Sequence, residues 1–400
     1  ETDSQRRAYE QAFRDAGIDP AERIVVVTDP GSPLDEQARG QGYRVVNADP
    51  HVGGRYSALT AFGLVPSGLA GVDVSALLDD AEAVADLLAE DDEANPALRL
   101  GAALGGTDPL RNKLLLLDEG SGITGFADWA EQLIAESTGK DGTGILPVVV
   151  EGEDAPELST GAADLLAARL VAADDESPAS GDGVRVGGAL GAQLLLWEAA
   201  TTVAGRLLGI NPFDQPDVES AKKAARGLLE AGARGADPAA YVDGAVEVRA
   251  LGGQWLGGAS TLSEALQALL AQLGPTGYLA VMAYLDRLGD ADLAQARAVL
   301  ARRTERPVTF GWGPRFLHST GQFHKGGPAE GVYLQVTSAP REDLPVPGRD
   351  FTFGAFLAAQ AGGDAQVLAD LGRPVLRVHL TDHDAGLAQL RSVLLAEGGA

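Results

Sequence analysis

The chain has 400 residues, 45% of them hydrophobic and none of them cysteine, which supplies core for roughly two or three domains and excludes disulfides, thiolate nucleophiles and thiolate metal ligands. Its formal net charge of −26, with 31 Lys and Arg that form no long run, argues against nucleic acid and anionic membranes as partners, but a few converging cations could still take a small anionic substrate. No apolar run approaches the roughly 20 residues of a spanning helix, and the polar start Glu1-Thr2-Asp3-Ser4-Gln5-Arg6-Arg7 is no secretory signal, so a cytoplasmic address is the default expectation.

Residues 1–16 read as a helix with Ala8, Ala12, Phe13 and Ala16 on one face and Gly17 as its stop. A helix at the very start, with no methionine before it, gives the expectation of a chain that begins inside a domain. Two β-branched runs, Ile24 to Asp29 and Tyr43 to Asn47, flank a helix-length segment and set a βαβ rhythm. The same kind of run recurs over 113–118, 144–150, 308–311 and 332–336. Buried parallel strands read as continuous apolar runs because helices cover both sheet faces, so a doubly wound α/β architecture is expected. Residues 72–90 form an acidic helical stretch, 91–96 a connector, 172–183 an exposed loop, and 255–304 further helices. The domain boundary is placed between about 75 and 110.

Four segments could carry chemistry. In Asp49-Pro50-His51-Val52-Gly53-Gly54-Arg55-Tyr56-Ser57, two glycines let the backbone approach a ligand, and Arg55 precedes a helix whose N-terminus favours an anion. The alternative is a plain turn. In residues 135–144 a glutamate, Glu136, ends a helix and Lys140 follows four residues on; the spacing is not that of a phosphate loop, and a helix-end glutamate is more often solvated than catalytic. Residues 211–223 place two prolines and several acids at a helix start, which helix initiation alone explains, apart from the flanking Gln215 and Lys222. Leu317 to Gly327 holds two of the five histidines in a glycine-flanked loop after a strand. A solvated loop is the competing reading.

Together these segments resemble glucose-6-phosphate isomerase. Val52 to Ser57 is similar to the family's VGGR-[FY]-S signature, Glu136-Ser137-Thr138-Gly139-Lys140 to its ESNGK segment, and Asn211 to Lys222 to its NPFDQxGVExGK signature. The likeness is nearest to actinobacterial-type isomerases and to the isomerase portion of transaldolase/isomerase fusions. It implies two sugar isomerase (SIS-type) doubly wound parallel-sheet domains, the first incomplete at its N-terminus: residues 1–75, a helical connector 76–110, and a second domain over 111–400 with helical insertions.

The resemblance implies interconversion of glucose 6-phosphate and fructose 6-phosphate through a cis-enediol, without metal or organic cofactor. Glu136 would move the proton between C2 and C1. Arg55 would face the charge that develops on the C1 and C2 oxygens. Lys222 and a histidine would open the ring. No histidine lies in residues 141–210, where the family's usually falls; His318 is the best match, because Gln322 follows it by the family's four residues. Gly54, Gln215, Lys140, Ser137 and Thr2 would contact substrate. In related chains an S-K-[ST]-G-G-T-type phosphate loop precedes a Glu-Thr pair, and this chain starts at Glu1-Thr2, so loss of much of the substrate affinity and a 400-residue chain that is inactive or nearly so are expected. A homodimer is implied, with His51, His379 and His383 as candidate interface groups or, more simply, structural ones. The competing functions are a sugar-phosphate-binding regulatory protein on the same fold and a dual-specificity glucose/mannose-6-phosphate isomerase.

Overall fold

The computed structural model describes residues 2–175, 177, 183–231 and 238–396. The chain packs as two compact units: residues 1–99, 188–200 and 343–353 form the first, and residues 100–187, 201–342 and 354–400 the second. The stretch 76–110, read as a connector, therefore contains the change of unit, and two later segments belong to the first unit.

In the first unit, α1 (Thr2–Asp15) leads into β1 (Val25–Thr28), α2 (Pro33–Gly40) and β2 (Arg44–Asn47). The strands pair in parallel, Val26 opposite Val45, with α2 as the crossover that parallel pairing requires. Ser32 starts α2 by accepting the Asp35 amide, and Pro33 fills the first helical position. Val26, Ala38 and Tyr43 form the local core. The buried positions of α1 are Ser4 and Glu10, not the alanine face expected from sequence. Alanine methyls bury little area, whereas Glu10 accepts the Tyr43 hydroxyl at 2.7 Å and pairs with Arg6 at 2.9 Å. α3 (Ala61–Leu69) and α4 (Val74–Ala89) complete this stretch.

α5 (Pro96–Gly105) spans the change of unit. A four-stranded, all-parallel sheet follows, in the order β4-β3-β5-β6. It is built from β3 (Lys113–Glu119), β4 (Leu146–Val149), β5 (Leu165–Val171) and β6 (Gly183–Gly187), with α6 (Phe126–Thr138) between the first two. Leu114 to Leu117 are all buried, as a strand covered on both faces requires. Half of the expected loop over 172–183 lies outside the described residues; of the rest, 172–175 form a partly exposed turn and Gly183 opens β6.

After α7 (Leu190–Leu208) and α8 (Pro216–Ala231) comes a six-stranded sheet. Its strands are β7 (Tyr241–Asp243), β8 (Val246–Leu251), β9 (Tyr278–Tyr284), β10 (Val308–Trp312), β11 (Gly331–Ser338) and β12 (Val375–Leu380), in the order β10-β9-β11-β12-β8-β7. The four strands β10, β9, β11 and β12 are parallel; β8 and β7 add an antiparallel edge. That edge is a tight hairpin with Gly244 at φ 56°. α9 (Leu262–Leu270), α10 (Ala296–Thr304), α11 (Thr320–Gly326), α12 (Phe353–Asp370) and α13 (His383–Leu394) complete the unit.

Two sequence expectations change here. Residues 111–400 hold two sheets where one doubly wound sheet was expected, and the second is mixed. The stretch 255–304, read as helical, contains the interior strand β9. Every residue of Tyr278-Leu-Ala-Val-Met-Ala-Tyr284 is buried, so no alternation betrays it, and Leu, Ala and Met favour helices when alone. Ladders to β10 and β11 on both sides decide the conformation. Among the described residues, no helix is long and apolar enough to cross a membrane.

Candidate functional site

Three sequence motifs meet at the C-terminal end of α6. That helix starts at Gly125, whose φ of 80° only glycine takes easily, and its last turn, Ala135 to Thr138, is entirely buried. Thr138 ends it: the hydroxyl donates to the Ile134 carbonyl at 2.8 Å and accepts the Ile145 amide at 2.9 Å. A Cβ on Gly139 would lie 2.4 Å from the Phe323 Cα, so only glycine lets α6 and α11 approach this closely. Glu136, 6% exposed, accepts on Oε2 from Gln132 Nε2 at 3.2 Å and from the Ser319 amide at 3.3 Å.

The histidine segment is not a solvated loop, as one reading of the sequence had it. After β10 and the turn Arg315–Leu317, His318 is extended and half-buried, and Thr320 to Lys325 form a buried helical turn. Ser319 sits between them at φ 51°, ψ −129°. With the Gly321 amide bonded to the His318 carbonyl at 2.9 Å, this is the first central position of a type II′ turn, which normally requires glycine. Non-glycine residues held in such conformations cost about 1–3 kcal/mol and cluster at functional sites. The turn is tight: a Cβ on Gly321 would lie 1.7 Å from the Phe316 carbonyl oxygen. The Ser319 hydroxyl reaches Glu131 at 3.2 Å, and Glu131 pairs with Arg315 at 2.6 Å. Burial pushes the Glu131 carboxyl up to about 7 against the pull of Arg315.

Gln322 joins this turn to the other two motifs. Its Nε2 donates to the Gly139 carbonyl at 2.8 Å and to Asp217 Oδ2 at 2.6 Å. Its Oε1 accepts the amides of Asp217 and Val218, at 3.1 and 3.2 Å, which are first-turn donors of α8 with no partner inside the helix. Lys140 makes the second link. Its ammonium, nearly fully buried, donates to the carbonyls of Asn211 and Asp214 and to Asp214 Oδ1 at 2.5–2.7 Å. This bond set braces the 211–214 turn. Lys222, on α8, bonds Glu219 at 2.7 Å. The Lys222 hydrogen bond and charge, with smaller help from Arg226 and His318, hold the Glu219 carboxyl below its ordinary value. Ser137 is fully buried behind Glu136, and Gln215 is half-buried just before α8.

Behind α11, Lys325 forms a buried ion pair with Asp364 at 2.5 Å and donates to the Phe316 and Gly321 carbonyls. His324 lies fully buried near the rings of Tyr278, Phe316 and Tyr333, and burial holds its imidazole well below the usual value, so it is neutral.

Arg55, Gly54 and Thr2 belong to the first unit. Arg55 is buried in the turn Gly54–Tyr56, with its guanidinium carbon 5.5 Å from the Tyr56 ring centre. Gly54 is exposed, with no atom within 4 Å of where its Cβ would stand. Thr2 is the exposed first residue of α1; Glu1 lies outside the described residues. His51 is exposed. His379 bonds Thr337 at 2.9 Å, and His383 bridges Asp290 at 3.0 Å and Ser338 at 3.2 Å, so both brace the strand ends of the six-stranded sheet. Among the described residues, no group of three or more His, Asp or Glu is arranged to hold a metal ion.

Glu131, Arg315 and Ser319 were not singled out from sequence. One signal was available: Glu131 falls three and four residues before Ile134 and Ala135, a charge on the buried face of α6.

No protein-family model matches the chain. Among curated proteins, a probable glucose-6-phosphate isomerase of Natronomonas pharaonis is 31% identical over 56% of this chain and 63% of its own length. The glucose-6-phosphate isomerase of Rubrobacter xylanophilus is 30% identical over 54% of this chain and 62% of its own, and that of Heliobacterium modesticaldum 33% over 52% and 58%. A solved glucose-6-phosphate isomerase from Chlamydia trachomatis matches 56% of each chain at 20% identity, with a TM-score of 0.46. The chain spans less than two-thirds of the length of these curated relatives, and over about half of its own length it is distantly homologous to glucose-6-phosphate isomerases.

Proposed function

We propose that this chain is an aldose–ketose isomerase that interconverts glucose 6-phosphate and fructose 6-phosphate through a cis-enediol. One observation carries the reading: the segments 136–140, 211–222 and 318–322, far apart in sequence, are bonded to one another through Lys140, Gln322 and Ser319. Distant homology to glucose-6-phosphate isomerases supports it.

Glu136 takes the proton from C2 and returns it to C1, and a buried carboxylate held by two donors is oriented for that work. His318 and Lys222 exchange the ring-opening proton between the ring oxygen and the C1 hydroxyl. Gln215 contacts substrate; Ser137, fully buried, is too deep for the contact the resemblance implied, and Lys140 serves substrate through the turn it braces. The motif resemblance alone assigns Arg55 to the developing oxyanion, and Gly54 and Thr2 to substrate binding. Sugar isomerase-type domains and a homodimer are part of the same proposal. No metal or organic cofactor enters these steps.

The test is a coupled assay on both hexose 6-phosphates with Glu136→Gln alongside. Turnover that falls by about 10²- to 10⁴-fold in the variant, with ligand binding kept, is the expected result. Sugar phosphate binding by the unsubstituted protein without any turnover would replace this reading with that of a regulatory binding protein. Equal turnover of glucose and mannose 6-phosphates would widen the substrate class.

A further inference from the structure

Two carboxylates of one helix grip the same serine by different atoms. Ser319 gives its backbone N–H to Glu136 at 3.3 Å and its hydroxyl to Glu131 at 3.2 Å. Arg315 closes the arrangement from the other side, 2.6 Å from Glu131 and 3.4 Å from the Ser319 hydroxyl. Without its neighbours, Ser319 would leave a backbone conformation at φ 51° that serine rarely holds. What keeps it there includes the hydroxyl's bond to Glu131. What that conformation achieves is to aim the amide next to His318 at the Glu136 carboxylate.

We infer that Glu131 is a positioning residue: through the Ser319 hydroxyl it holds the 318–321 turn so that the Ser319 amide reaches Glu136 and sets that carboxylate's orientation. The Ser319 amide is one of the donors that fix the Glu136 carboxylate, so its loss frees that group's rotation and slows proton transfer at C2 without removing any group that touches substrate. Glu131 itself is 6% exposed, with Arg315 and Asp128 as the charged groups acting on it. The inference rests on the isomerase reading for its consequence in turnover, but its structural content stands apart from that reading.

The experiment uses both sides of that division. In the coupled assay, Glu131→Gln is expected to lower kcat by about tenfold with KM within about twofold, and the same substitution in a Ser319→Gly background by less than about twofold, because a path through the serine hydroxyl is already cut there. Equal effects of Glu131→Gln in both backgrounds would overturn the inference. Independently of turnover, carboxyl-carbon NMR of Glu-labelled protein, with the Glu136 signal identified by its loss in Glu136→Gln, reports the hydrogen bond from the Ser319 amide. The Glu136 chemical shift at fixed pH is expected to move in Glu131→Gln; an unchanged shift would overturn the inference even if the protein isomerises nothing. Arg315→Lys, which keeps a cation beside Glu131, should reproduce the direction of both effects more weakly, and it keeps the test decisive if Glu131→Gln folds poorly.

Discussion

Gln322 and Asp217 are bonded twice over: the Gln322 amide nitrogen donates to Asp217 Oδ2 at 2.6 Å, while its oxygen accepts the Asp217 backbone amide at 3.1 Å. A fully buried side chain 105 residues away in sequence thus caps α8 and, through Gly139, ties it to α6. Gln322→Ala leaves the Gly139 carbonyl and two helix amides without these partners. We expect a loss of about 2–4 kcal/mol, seen as a fall in Tm of roughly 3–7 °C. A Tm within 1 °C of the unsubstituted protein, roughly the scatter of a small change, would show that water replaces the clamp.

The backbone at Ser319 gives a prediction about sign. Ser319→Ala and Ser319→Gly both remove the hydroxyl, but only glycine accepts φ 51°, ψ −129° freely. The glycine variant should therefore be the more stable of the two by about 1–2 kcal/mol in chemical denaturation, although glycine loses more entropy on folding. Alanine equal to or above glycine would mean that the turn relaxes to an ordinary conformation.

Lys140 offers a contrast between bracing and binding. Lys140→Met keeps the side-chain length and removes the buried ammonium from the carbonyls of Asn211 and Asp214. The expected result is a stability loss of about 2–4 kcal/mol. The isomerase reading further expects both kcat and KM to worsen, since the turn that carries Gln215 is released. An effect confined to KM, at unchanged Tm, would instead give Lys140 a direct contact with substrate.

Glu131 makes stability depend on pH with a known sign. Its folded pKa is raised by burial from 4.5 to about 7, so between those values the folded chain holds a proton that the unfolded chain releases. Its contribution is full below about 4.5 and is lost as pH rises through about 7. Glu131→Gln has no such proton to lose. The Tm of the variant should gain on that of the unsubstituted protein between pH 5 and 8, measured by thermal scans in matched buffers. A constant difference across that range would mean that Glu131 ionises at its ordinary value.

How much of this was legible in the residues depends on how local each cause was. The apolar runs of β3, β4 and β11 marked themselves, because strands covered on both faces need uninterrupted apolar side chains; β1, β2 and β10 are only partly buried and were legible from their β-branched residues. α4 and α6 showed their periodicity. The segments 136–140, 211–222 and 318–322 could be picked out one by one, and the glycines at 139 and 321 sit where close approach demands them.

The tertiary structure decided what depends on neighbours distant in sequence. Whether Tyr278–Tyr284 is strand or helix rests on β10 and β11 pairing with it on both sides. The segment around His318 reads as a polar loop until α6 and α8 cover it and turn it into a buried helix. Nothing in the identity of Lys140 says that its charge is spent on two carbonyls and Asp214, or that of Glu131 that burial lifts its carboxyl to about 7. Residue types and their spacing determined which chemical groups the chain carries and which short elements it forms, because those follow from local sterics and hydrophobic patterning. Burial, charge and hydrogen-bond partnership belong to the folded chain alone, since each depends on residues more than seventy positions away, as Lys140 and Asn211 do.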